Sequence, residues 1–257
     1  SRCCMKKPTR KFNAIVSTDW SECLSPSGPF DFIEYSYPTL APTLGEIFRG
    51  YTGNRFSLGE ACRRIQAMLP APVTREMMDA YLDSSFAVYR GVPELIEWCL
   101  SHDILFMINT TAMIGYFQRV FAKKLLPRVP VLSANALLRF PDADSDPDDI
   151  LALSETTDKG RNTQTVLQKF AIPATRLVVM GDSGGDGPHF EWGRNAGAFI
   201  IGSMTKHSLS TYCRERGIAI NLHFGVSYAA GQARDPENEK RFDFMDLVEP
   251  LQSVLKR

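Results

Sequence analysis

Four short apolar runs, at 104–108, 129–132, 177–180 and 198–201, constrain this chain more than any other feature. A fifth segment, 12–18, reads as a short buried strand that ends at Asp19. Runs without polar alternation suit strands covered on both faces, as parallel strands are. Helical patterns lie between them, notably 159–170. That alternation predicts an α/β fold: a doubly wound, Rossmann-like core on a parallel sheet.

From about residue 25 the pattern changes. Ser57-Leu58-Gly59-Glu60 reads as a capping box opening a helix through Met68, and Leu69-Pro70-Ala71-Pro72 stops it. Thr74 caps a further helix to about Val88, and Gly91-Val92-Pro93 starts another with proline in its first turn. No strand is expected in this stretch. The predicted division is a core of residues 1–24 and 89–257 with a small, inserted all-helical cap of residues 25–88. Residues 141–149, with five Asp, are expected to form a mobile polar loop, and 232–241 a second charged loop. A strand at 218–224 and a final helix from about 242 to 255 complete the reading.

Bulk properties exclude more than they assign. Lys plus Arg number 29 and Asp plus Glu 29, so nothing suggests the electrostatic footprint of a nucleic-acid partner. No apolar run approaches the roughly 20 residues needed to span a bilayer, so no membrane partner is expected. Residues 1–7 lack the apolar stretch of a secretory signal. The six cysteines show no CxxC spacing and read as free thiols of a reducing compartment, which predicts a cytoplasmic protein. Lipidation of the Cys3-Cys4 pair is a minor alternative.

The chemistry concentrates where the 177–180 run enters Gly181-Asp182-Ser183-Gly184-Gly185-Asp186. Three glycines are expected to bend this turn through positive φ. Asp182 and Asp186 then stand at the carboxyl end of a buried strand, where open α/β sheets place ligands. Paired carboxylates there suit a hard cation, and beside phosphate that is usually Mg²⁺. Other polar groups close the apolar runs: Asp19 and Ser21 after the first, and Asn109, Thr110 and Thr111 after the second. Lys159 opens a helix before the glycine-rich turn, where its ammonium and the helix-end N–H groups suit an anion.

With the Tyr89–Leu95 segment, this order of motifs resembles the haloacid dehalogenase (HAD) superfamily, in its phosphoserine-phosphatase-like branch with a helical cap. The resemblance covers about residues 12–202. It implies an Asp nucleophile at the first strand's end, an acid/base two residues later, and a hydroxyl on the second strand. A helix-start Lys and the Gly-Asp-x-x-x-Asp turn complete the set. Carried onto this chain, it makes Asp19, Ser21, Asn109, Thr110 and Lys159 catalytic, with Mg²⁺ held by Asp19, Ser21, Asp182 and Asp186. It implies a phosphohydrolase acting on a small phosphorylated metabolite through an aspartyl-phosphate on Asp19.

The first motif departs from that pattern, because Thr18-Asp19-Trp20-Ser21-Glu22 holds one Asp. Either Asp19 is the nucleophile with Ser21 at the acid position, or Ser17 replaces the nucleophile and Asp19 is the surviving acid. The aromatic residue after Asp19 favours the first. Serine cannot protonate a leaving group near neutral pH, a service worth typically about 10²–10⁴-fold. Three outcomes stay open: leaving groups that depart without a proton, a substitute such as Glu22, or a degenerate protein that binds phosphate or metal without turnover. Phosphonoacetaldehyde hydrolysis is disfavoured because no lysine occurs between Lys11 and Lys123 to form its Schiff base. Arg49, Arg55, Arg63 and Arg64 read as solvated helix faces, and no histidine is assigned to catalysis.

Overall fold

The computed structural model describes residues 10–255; Cys3, Cys4 and the rest of 1–7 lie outside them. The elements run β1 (Ala14–Thr18), α1 (Asp31–Ser36), α2 (Ala41–Thr52), α3 (Leu58–Met68), α4 (Arg75–Ser85), α5 (Val92–Ser101) and β2 (Ile104–Met113). They continue through α6 (Ile114–Ala122), β3 (Val131–Asn135), β4 (Asp149–Ala152), α7 (Asp158–Phe170), β5 (Leu177–Gly181), α8 (Gly187–Ala196) and β6 (Phe199–Thr205). Last come α9 (His207–Glu215), β7 (Leu222–Ser227), α10 (Pro236–Glu239) and α11 (Val248–Leu255).

Among the described residues, the strands form one 7-stranded sheet in the order β4-β3-β2-β1-β5-β6-β7, and every pairing is parallel. Alternation along each strand feeds two separate cores. Ala14, Val16, Phe106, Ile108, Val178 and Met180 face one, while Ile15, Leu105, Met107, Leu177 and Val179 face the other. Two buried faces explain the unbroken apolar runs. Among the described residues, no helix is long and apolar enough to cross a membrane.

Between β1 and α5 the chain forms α1–α4 and a short 3-10 turn, without a strand. Where the chain leaves and rejoins the sheet layer, its two limbs are tied together. Tyr89 N–H donates to Leu24 O at 3.0 Å, and Ser25 Oγ donates to Ala87 O at 2.6 Å. Trp20 stacks near Phe86 and meets Phe117 edge-on, with ring centroids 6.5 and 5.5 Å away. Arg119 on α6 grips Asp79 on α4 through two bonds of 2.7 and 3.0 Å.

Several expectations need correction. Ser57 caps α3 by accepting from Glu60 N–H, but the Glu60 carboxylate does not return the bond; Arg63 and Arg64 take it at 2.9 Å each. The 141–149 segment is pinned rather than free. Asp146 is buried, and its Oδ2 accepts from Gln118 Nε2 at 3.1 Å and Ala143 N–H at 2.9 Å. Asp149 then opens β4, an edge strand. Nor is 232–241 a solvated loop, for it carries the fully buried Glu239. The strand expected at 218–224 lies at 222–227.

Candidate active site

Because β1 and β5 are neighbours in register, with Thr18 opposite Met180, Asp19 and Asp182 emerge side by side at their carboxyl ends. Asp19 N–H donates to Met180 O at 3.0 Å, which carries the pairing one residue beyond the strand. Asp19, Asp182 and Asp186 are all buried, and each offers an oxygen within 4.8 Å of the others. Three carboxylates so close repel one another strongly unless cations intervene.

Two lysines do so. Lys159, 1% exposed in the first turn of α7, places Nζ 2.5 Å from Asp186 Oδ1 and 3.4 Å from Asp19 Oδ1. Lys206, just after β6, places Nζ 2.5 Å from Asp182 Oδ2 and 3.4 Å from Glu22 Oε2. Sequence reasoning missed Lys206. It belongs to no motif, and only the β5–β6 pairing brings it beside Asp182.

The three aspartates differ in environment. Burial, then the Asp186 charge, pushes the Asp19 carboxyl up to about 6 against Lys159, the Trp20 N–H and Thr110. Burial also raises Asp182 well above the usual carboxylate range; Lys206 opposes this, while Asp186, Asp19 and Glu22 add to it. Burial would raise Asp186 too, but Lys159 and the N–H groups of residues 182 and 183 outweigh it and hold that carboxyl low.

The glycine-rich turn does not depend on positive φ, since Gly181, Gly184 and Gly185 all lie outside that region. Two of its glycines are needed for space. A Cβ on Gly181 would stand 2.5 Å from Asp186 Cγ, and one on Gly184 would strike Thr52 O. Close approach lets Asp186 Oδ2 accept from Asp182 N–H at 2.9 Å and Ser183 N–H at 3.3 Å. Gly185 has ordinary clearance.

These groups line a small chamber of about 10 Å³. Its floor is Asp19, Ser21, Thr111, Lys159 and Asp182, and its roof is Phe48, Tyr51 and Thr52 of α2. Ser21 stands there with a neutral hydroxyl. Thr110 Oγ1 accepts from Ala112 N–H at 3.2 Å, and Thr111 Oγ1 meets Tyr51 OH at 2.9 Å. Asn109 is placed elsewhere: its Nδ2 lies 2.9 Å from Lys159 O, 3.0 Å from Thr163 Oγ1 and 3.1 Å from Ser17 Oγ. It holds the first turn of α7 beneath the chamber and is not among the lining residues. Ser17 packs there too, bonded to Thr163 at 3.0 Å. Only Asp19 of the two candidate nucleophiles therefore faces the chamber.

Glu22 does not stand in for the acid. Arg234 Nη1 holds its Oε1 at 2.7 Å, and Lys206 lies against its Oε2. Its φ of 57° is left-handed, a conformation that costs a non-glycine residue about 1 kcal/mol or more.

The oxygens fit a hard dication. Asp182 Oδ1 is buried without a hydrogen-bond partner, while Lys206 occupies only Oδ2. An all-oxygen donor set with one unsatisfied buried oxygen suits Mg²⁺ rather than a softer metal.

No protein-family model and no curated protein matches the sequence. Solved structures do match in three dimensions. A phospho-aspartyl intermediate analogue of phosphoserine phosphatase superposes with a TM-score of 0.64 at 12% identity, covering 93% of this chain and 99% of that one. A substrate-bound phosphoserine phosphatase complex gives 0.64 at 12%, covering 94% and 99%. A HAD family hydrolase from Salmonella enterica serovar Typhi gives 0.60 at 16%, covering 85% and 69%. The chain thus has the HAD-like α/β fold of these structures.

Proposed function

We propose that this protein is a Mg²⁺-dependent phosphohydrolase that acts on a small phosphorylated metabolite through an aspartyl-phosphate on Asp19. The observation that carries this reading is the buried Asp19–Lys159–Asp186–Asp182 cluster at the ends of β1 and β5. It lies in a fold shared with phosphoserine phosphatase.

In this reading Asp19 attacks phosphorus, held in place by the Trp20 N–H at 2.7 Å. Lys159 offsets charge on the equatorial oxygens of the transferring group. Asn109 acts indirectly, by fixing the turn from which Lys159 reaches. Asp19, Asp182 and Asp186, with Ser21 beside them, would hold Mg²⁺, which when bound supplies charge compensation for phosphoryl oxygens. Residues 25–88 act as a cap. A chamber of about 10 Å³ has room for about one water, so α2 lifts to admit substrate and closes over it.

The neutral Ser21 favours one rival: a binder of phosphate or metal that has lost turnover. Phosphate release from a panel of phosphorylated metabolites, with and without Mg²⁺, separates the two. The enzyme reading expects Mg²⁺-dependent release that Asp19→Asn abolishes. A silent wild type in which Ser21→Asp gains activity establishes the binder.

A further inference from the structure

An in-line displacement by Asp19 drives the leaving group away from the floor and toward the roof. The roof is α2, and its polar groups are few. Thr52 Oγ1 is spent on Phe48 O at 2.8 Å. Among the other lining groups the Lys159 ammonium is shared between Asp186 and Asp19, and Lys206, outside the lining, is held by Asp182. Ser183 accepts a backbone bond at the head of its turn. The Ser21 and Thr111 hydroxyls are alcohols, no more acidic than an alkyl leaving group. One phenol remains. Tyr51 is 3% exposed, lines the chamber with Asp19 and Ser21, and has its OH 2.9 Å from Thr111 Oγ1.

Resting on the phosphohydrolase reading above, we propose that Tyr51, carried by α2, is the general acid and base that replaces the carboxyl missing at Ser21. In the first step Asp19 Oδ bonds to phosphorus and the bond from phosphorus to the leaving oxygen breaks. That oxygen keeps the electron pair and takes the Tyr51 proton, while the Thr111 hydroxyl donates to the new phenolate. In the second step a water oxygen attacks phosphorus. One water proton returns to Tyr51, the other stays on the released phosphate, and the acyl oxygen–phosphorus electron pair returns to Asp19. A tyrosine O–H, ordinarily near pKa 10, is a stronger acid than the alcohol forming, so transfer to a departing alkoxide is downhill. Burial raises Tyr51 further, against the bond to Thr111, and keeps it protonated until an alkoxide develops. Because the phenol rides on α2, the proton donor is assembled only when the cap is closed.

The test is the dependence of kcat/KM on leaving-group acidity, measured for acetyl phosphate, 4-nitrophenyl phosphate, phenyl phosphate and alkyl phosphates. Tyr51→Phe, which keeps the ring, is expected to lose about 10²-fold or more on alkyl phosphates and little on acetyl or 4-nitrophenyl phosphate. Its plot against leaving-group pKa steepens relative to wild type. Ser21→Asp added to Tyr51→Phe is expected to restore the alkyl rates. An equal loss on every substrate, or none on any, overturns the role of Tyr51 and leaves the phosphohydrolase reading intact. A wild type silent on the whole series under Mg²⁺ overturns that reading, and this one with it.

Discussion

Lys159 is the residue on which the buried cluster balances. Its ammonium is fully enclosed between Asp186 and Asp19, and removing one partner of a buried pair leaves an uncompensated charge. Lys159→Met is therefore expected to lose about 3–5 kcal/mol by urea unfolding, with part regained on adding Mg²⁺. An unchanged midpoint would rule out that pairing as a source of stability. Asp19 gives the cluster its pH dependence. Its folded carboxyl sits at about 6 against an ordinary 3.8, so the native state holds this proton more tightly than the unfolded chain. That contribution is full below 3.8 and lost as pH rises through about 6, a swing of up to about 3 kcal/mol. Metal-free wild type compared with Asp19→Asn should show this difference in melting curves taken from pH 4 to 7. Mg²⁺ competes with the same protons, so its thermal shift should be larger at pH 7 than at pH 5; equal shifts would place the ion elsewhere.

At the scale of elements, the contact between the end of α2 and the glycine-rich turn sets how closely the roof meets the floor. Asn54 Nδ2 donates to Gly184 O at 3.3 Å, and Thr52 O fills the space a Gly184 side chain would need. Gly184→Ala should push these segments apart, costing about 1–3 kcal/mol and most of the turnover. Gly185→Ala, whose Cβ meets nothing nearer than 3.6 Å, should be close to wild type in both assays. Equal effects would mean that close approach at 184 is not what matters. Legibility in the sequence follows the same physics. β1, β2, β5 and β6 announce themselves because both faces are buried, whereas β4 is a half-exposed edge strand with no apolar run to read. The far half of β2 hides behind Asn109, Thr110 and Thr111, polar residues that are buried all the same. Asp19, Lys159, Asp182 and Asp186 could be found because each sits at a strand or helix end within a short motif. The lateral aim of Asn109, and the use of glycine for space rather than for positive φ, depend on neighbours distant in the chain.

Over the whole molecule, the least legible feature is how the C-terminal segment reaches back to the first motif. Arg234 binds Glu22 Oε1 at 2.7 Å, Glu239 Oε2 at 2.8 Å and Pro26 O at 2.9 Å, and reaches Tyr89 OH at 3.1 Å. One guanidinium thus joins the loop after Asp19, the segment just before α5, and α10. Tyr89 and Tyr228 also donate to Glu239, which is fully buried. No local pattern signals a contact spanning more than two hundred residues. Burial alone would raise the Glu239 carboxyl, but Arg234 and the two phenols outweigh it and hold it below the ordinary 4.5. A depressed carboxylate stabilises the fold above 4.5 and loses that contribution as pH falls through its folded value. Arg234→Met strands both Glu22 and Glu239. Its cost at pH 7 is expected near the lower end of the roughly 3–5 kcal/mol for a broken buried pair, because the Arg234 side chain keeps 23% exposure. Melting curves of wild type and variant should converge as pH drops below 4.5, when the stranded Glu239 carboxylate takes up a proton. Curves that stay parallel would show that Arg234 acts by packing alone. Turnover should fall at pH 7 as well, since a released Glu22 no longer competes with Asp182 for Lys206 in the same geometry, and the metal end of the site loses its reference point.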